Sequence, residues 1–109
     1  MKINIKATKL EVSEKTKVFI QEKMNMLEKY LGSIKPINCD VEVEKFVGKQ
    51  RSGKIYRCEV NLSLPHEMIR IEKTANDLQK AIEKVKDHLP RSIKRYKEKR
   101  IDSKRQSLK

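Results

Sequence analysis

Between residues 78 and 96 the apolar side chains Leu78, Ile82, Val85, Leu89, Ile93 and Tyr96 recur at i, i+4, i+7, i+11, i+15 and i+18. At 3.6 residues per turn these positions form one narrow stripe, which defines an amphipathic helix of about five turns that needs a broad apolar surface to lie on. Asn76 or Asp77 can cap its first turn. Pro90 interrupts the run, removing a backbone donor at a cost of about 3 kcal/mol in a regular helix. Because the stripe keeps its phase across Pro90, one kinked helix is expected rather than two.

The surface that this helix requires is written upstream as a two-residue period. In residues 2–7, Ile3, Ile5 and Ala7 alternate with Lys2, Asn4 and Lys6. After Pro36, Ile37, Cys39, Val41 and Val43 alternate with Asn38, Asp40, Glu42 and Glu44. Tyr56, Cys58, Val60, Leu62 and Leu64 mark a third strand, and beyond a turn at Pro65-His66-Glu67, Ile69 and Ile71 mark a short fourth. Ser13 can cap an earlier helix running to about Leu31, with Gly32 as its stop and Thr16, Ile20, Met24, Leu27 and Leu31 as its core stripe. Phe19, Met26 and Tyr30 form an apolar flank expected to face the second helix.

Strands with one apolar and one polar face pack both helices on the same side. The fold class is therefore α+β: a two-layer sandwich in the order β-α-β-β-β-α, with a four-stranded sheet and two helices on one face. A chain of 109 residues has apolar surface for one such core. If Lys45 and Lys54 are near-opposite at the base of the central hairpin, Cys39 faces about Val60 and Cys58 about Val41. The thiols are then unpaired small hydrophobes.

Charge points to a partner. The 27 Lys+Arg against 15 Asp+Glu leave a net +12, which draws a protein to polyanions. Residues 77–109 alone carry 12 basic and 5 acidic side chains. Within them Lys80, Lys84, His88, Arg91, Arg95 and Lys99 follow a second helical stripe, turned away from Leu78, Ile82 and Val85. Such a ridge can line several cations along a phosphate backbone, where counterion release drives binding. A solvated face kept for solubility is the plainer alternative.

Other chemistries fit poorly. Gly48-Lys49-Gln50-Arg51-Ser52-Gly53-Lys54 matches a nucleotide-binding loop, but Ile55 follows where a hydroxyl is needed and a strand follows where a helix should start. His66 and His88 are too far apart in the pattern to serve one phosphate as general acid and base. The polar face of the sheet, with Asn4, Lys6, Glu42, Arg57, Glu59, Asn61, Arg70 and Glu72, offers no aromatics on which to stack bases. No catalytic residue, metal site, cofactor, small-molecule substrate or membrane association is expected. The alternating start lacks the apolar run of a signal peptide, so a cytoplasmic protein is expected.

The element order, together with Leu10-Glu11-Val12-Ser13-Glu14, Lys23-Met24, Leu27-Glu28-Lys29-Tyr30-Leu31 and Asn76-Asp77-Leu78-Gln79-Lys80-Ala81-Ile82-Glu83, resembles the ribosome hibernation-promoting factor family, also called ribosome-associated translation inhibitors. The resemblance covers residues 1–99, read as a ribosome-binding domain, and leaves 100–109 as a basic flexible tail. It implies a cytoplasmic, non-enzymatic factor that occupies the mRNA and tRNA channel of the small ribosomal subunit, contacts its rRNA and silences translation. Lys23, Arg91, Arg95, Lys97 and Lys99 match basic positions of the family's rRNA-binding surface, to which helical geometry adds Lys80, Lys84, Lys94 and the ridge residue His88. Gln79 replaces a common tyrosine and Pro90 is unusual in that helix. The chain resembles the short class, some of which act with a separate ribosome-dimerising factor. A general double-stranded nucleic-acid binder and a sigma-factor modulator are the alternative functions.

Overall fold

The computed structural model describes the backbone of residues 1–47 and 53–107 and the side chains of residues 1–46 and 53–101. The alternating segments form β1 (Ile3–Thr8), β2 (Asn38–Val47), β3 (Lys54–Leu64) and β4 (Glu67–Ala75), and the helical ones form α1 (Glu14–Asn25), α2 (Glu28–Leu31) and α3 (Leu78–Ser107). The strands lie in the order β1-β2-β3-β4. β2, β3 and β4 are joined as antiparallel hairpins, whereas β1 and β2 are parallel. Parallel neighbours need a crossover; α1 and α2 supply it, on the same face as α3. Ile20, Met24, Leu27 and Leu31 from the crossover, Val41, Val43, Val60 and Leu62 from the sheet, and Ile82, Val85, Leu89 and Ile93 from α3 are all buried in one core. This is the expected two-layer sandwich.

Several expectations are corrected in detail. The first helix does not run unbroken to Leu31: at Leu27 the ladder tightens, Leu27 N–H bonding to the Met24 carbonyl at 3.0 Å and Tyr30 N–H to the Leu27 carbonyl at 3.0 Å. The i→i+3 turn keeps Leu27 and Leu31 in the core. Gly32 does end α2, with φ of 61°. Met26, expected to face a second helix, is exposed, as are Ala7 and Ile37, the latter just ahead of β2; Tyr30, of the same flank, does stand beside Pro90 of α3 but stays partly open to solvent. β4 spans nine residues rather than a short segment. Its hairpin turns on Pro65 and on His66, whose φ of 69° follows the proline as in a type II turn. In the central hairpin Cys39 opposes Leu62 and Cys58 opposes Val43, a slip of two residues that leaves the same faces inward. Most of the hairpin loop, residues 48–52, lies outside the described residues.

Asp77 rather than Asn76 caps α3, accepting the Lys80 N–H at 3.3 Å. α3 continues through Pro90 as one helix. It also continues past residue 99, so residues 100–107, expected as a flexible tail, extend the helix. Arg100 donates to the Tyr96 hydroxyl at 2.9 Å, and that hydroxyl donates to the Pro65 carbonyl at 2.7 Å, tying the extension to the β3–β4 turn.

The open face of the sheet carries its own constraint. Glu42, Glu59 and Glu72 stand in one cross-strand row, an arrangement that like charges disfavour. The Arg57 guanidinium resolves it. It bonds Glu42, reaches Glu44 at 2.9 Å and Glu59 at 3.2 Å, and lies 3.6 Å from Glu72. These carboxylates hold the guanidinium charge, and bonds from Asn61 and Arg70 hold the Glu59 carboxyl below its ordinary range against the opposing effect of burial. The same face also bears Phe46, opposite Ile55 in the register, so it is not free of aromatics as expected.

Arg57→Met should lower the unfolding free energy by roughly 2–3 kcal/mol, because Glu44 loses its counter-charge and the half-buried Glu42 and Glu59 are left with Lys6 and Arg70 alone. Adding Glu42→Gln and Glu59→Gln should restore at least half of it, as read by urea denaturation at pH 7. The stabilising share of Glu59 is present above the ordinary carboxylate pKa and is lost as pH falls through its depressed folded value. Glu59→Gln should therefore flatten the acid limb of the stability profile.

Candidate nucleic-acid interface

α3 is the only long helix among the described residues, and its buried stripe sets its rotation. Ile82, Val85, Leu89, Ile93 and Tyr96 point into the sheet. At about 100° per residue, Lys80, Arg91, Lys94 and Arg95 then fall on the opposite side of the rod. All four are exposed, and none has an ion-pair partner among the described residues. They form the free part of the basic ridge.

The other sequence-predicted cations are placed differently. Lys84 is exposed, but its ammonium donates to the Thr74 carbonyl of β4 at 3.0 Å, covering a group on the sheet edge. Lys99 pairs with Glu67 at 3.2 Å. Lys97 turns to the other flank, its Nζ 3.7 Å from the place that a Cβ on Gly32 would take. Lys23 stands on α1, with its ammonium 5.2 Å from the Phe19 ring centroid. The predicted set is therefore divided among an outward ridge, two tethered lysines and two cations on the α1–α2 side.

His88 lies half-buried in a groove between α3 and the β4 edge, lined also by Glu72, Lys73, Thr74, Lys84, Asp87 and Arg91. Burial first, then Lys73, Arg91 and Arg95, hold its imidazole below the ordinary histidine range. The shift favours the neutral imidazole, so His88 adds less charge to the ridge than the lysines and arginines do. Lys73 was missed by sequence reasoning, although its parity with Ile69 and Ile71 puts it on the helix side of β4.

Charge is sorted between the layers. Strand residues on the open face include Asp40, Glu42, Glu44, Glu59 and Glu72 against Lys6, Arg57 and Arg70, whereas the exposed side of α3 carries Lys80, Lys84, Arg91, Lys94, Arg95 and Lys99 against Glu83, Asp87 and Glu98. Such a molecule meets a polyanion with its helical side. The thiols offer no competing chemistry: Cys39 and Cys58 are buried and free, and burial pushes both up to about 12. No described helix is long and apolar enough to cross a membrane.

Residues 3–101 match the family model described as Sigma 54 modulation protein / S30EA ribosomal protein. The chain is 26% identical over 97 residues to a ribosome hibernation promotion factor of Lactococcus lactis, covering 89% of this chain and 50% of that protein. It is 28% identical over 88 residues to the one of Deinococcus radiodurans, covering 81% of this chain and 44% of that one. The chain thus spans about half the length of these curated relatives. A ribosome hibernation promoting factor of Azotobacter vinelandii is 27% identical over 103 residues, which cover 94% of this chain and 88% of that one. The fold is that of the Thermus thermophilus Protein Y N-terminal domain, with a TM-score of 0.69 at 23% identity over 88% of this chain and 99% of that one.

With both thiols packed in the core and far from their thiolate form, a water-soluble disulfide reagent at pH 8 should label neither cysteine in the native protein within an hour, and two per chain in 6 M guanidinium, read by thionitrobenzoate release.

Proposed function

The chain belongs to the Sigma 54 modulation protein / S30EA ribosomal protein family, and on that premise we propose that it is a ribosome hibernation factor that silences translation by occupying the mRNA and tRNA channel of the small subunit. Basic contacts to rRNA hold it there, and the folded domain excludes mRNA and tRNA by bulk. The observation that carries this reading is the row Arg91, Lys94 and Arg95, exposed and unpaired among the described residues on the side of α3 opposite the core. Cations already neutralised by carboxylates would release few counterions; these are free to do so. The family and relatives' names support the ribosome as the polyanion.

The mechanism makes and breaks no bond. Release of counterions from rRNA phosphates supplies affinity, and the sandwich, rigid because one core joins both layers, supplies the obstruction. With roughly six to eight phosphates contacted, raising salt from 50 to 200 mM should weaken binding to small subunits by about three to four orders of magnitude. Replacing Arg91, Lys94 and Arg95 together by Ala should reduce the salt slope by about three while leaving the thermal midpoint unchanged. Co-sedimentation with purified small subunits across a salt series reads both. An unchanged slope would remove the ridge from the interface. Plain duplex RNA competing as well as ribosomes would instead favour a general double-stranded binder.

His88 adds a pH dependence. A phosphate beside the groove favours the imidazolium that Lys73, Arg91 and Arg95 disfavour in the free protein, so the bound pKa is higher and binding takes up a proton. Affinity should rise as pH falls from 8 to 5.5, and His88→Ala should lose that rise whereas His66→Ala, in the β3–β4 turn, should keep it.

A further inference from the structure

A second concave feature lies on the opposite flank of α3 from the His88 groove. Tyr30 of α2 and Pro90 and Ile93 of α3 line a cleft of about 420 Å³. Its walls are mainly apolar, yet Arg91, Lys94 and Lys97 stand among them, and the Lys29 ammonium lies 5.1 Å from the Tyr30 ring centroid. Tyr30 is 39% exposed, a large aromatic that the core does not use. Four cations gathered about an apolar, aromatic-walled slot are an unfavourable setting for an aliphatic side chain of a partner, whose entry would desolvate charge without pairing it. A nucleotide meets both demands: its base offers a π-face to the ring and its phosphates offer the counter-charge.

We propose that this cleft takes a single unstacked nucleobase from RNA, stacked on Tyr30 against the ring of Pro90, with the flanking phosphates held by Lys94 and Lys97. Arg91 lines both this cleft and the groove of His88, so the backbone that follows the ridge passes the mouth of the cleft. The inference deepens the RNA-binding reading and rests on it. It gives the protein a means of telling an RNA with a bulged or looped-out base from a uniform duplex, which the ridge alone, reading phosphates, does not have.

The test compares two RNA hairpins of identical length and charge, one with a single bulged uridine and one with an abasic nucleotide at that place, by fluorescence anisotropy at 50 mM salt. The intact bulge should bind about tenfold more tightly, the size of one base–aromatic stacking interaction. Tyr30→Ala should abolish that preference while leaving affinity for the abasic hairpin within about twofold, Tyr30→Phe should retain it, and Lys94→Ala should weaken both hairpins alike. Equal affinity for the two hairpins, or a preference that survives Tyr30→Ala, overturns the cleft while the ridge stands. Failure of both hairpins to bind overturns the RNA-binding reading and the cleft with it. Equal hairpin affinities with a Tyr30→Ala loss confined to ribosome co-sedimentation would assign the cleft to a protein side chain instead.

Discussion

A helix packed on a sheet has one rotational freedom, and the burial of Ile82, Val85, Leu89, Ile93 and Tyr96 removes it. Each such side chain contributes about 1.5–3 kcal/mol when taken from water, so turning α3 by even one position would expose several at once and bring Lys or Arg inward. The direction in which Arg91, Lys94 and Arg95 point is therefore not a property of those residues. It follows from the apolar stripe, which explains why the surface chemistry can be argued from the core. The same rotation places Pro90 and Lys97 toward α2 and Lys84 and His88 toward β4, giving the rod two unlike flanks.

The sheet answers with the opposite sign. Five carboxylates and three bases occupy the strand positions of its open face, and the row Glu42, Glu59, Glu72 would strain the sheet without Arg57. That arginine is only 16% exposed at its side chain, which keeps its pairs out of the regime in which surface ion pairs count for little. The network stabilises the strands on which α3 rests and leaves the open face with more carboxylates than bases. A protein with a net +12 could bind polyanions in many orientations; one with its charge sorted between two layers presents a preferred side.

Periodicity made most of the fold legible, because burial of one face is what both periods record. The strands, the common side of the helices, the cap residue pair 76–77 and the stripe of α3 all follow from it. What escaped was set by contacts that periodicity does not carry. The tightened turn at Leu27 keeps its apolar residues inward in either geometry, so the stripe could not distinguish a continuous helix from a broken one. The hairpin register slipped by two because a two-residue shift preserves every face. Phe46 lies past Glu44, where polar residues stop marking the open face, yet it shares the parity of Glu42 and Glu44 and so falls on that face. Among the cations, sequence spacing separated core from surface but not free from tethered: Lys84 on the Thr74 carbonyl and Lys99 on Glu67 are fixed by β4, the strand just before α3, through contacts that the helical spacing does not carry. Tyr30 stands beside α3, as its spacing with Phe19 and Met26 suggests, but that spacing does not show that its ring stays 39% exposed.

Pro90 shows how these levels are decided by magnitude. A proline at this point costs the helix about 3 kcal/mol and one backbone bond, and an isolated segment would end there. On either side, however, Leu89 and Ile93 are fully buried, with Val85 and Tyr96 a turn further on. Breaking the helix would swing one half of the stripe off the sheet and lose more than the proline costs, so α3 runs through it. Nor is the ring spent on the core: Pro90 lies at the cleft beside Tyr30 and Arg91, where its rigid apolar surface closes one wall. The residue that a helix would least choose is thus tolerated because the core holds Leu89 before it and Ile93 after it, and it stands where a flat ligand would need an unyielding surface.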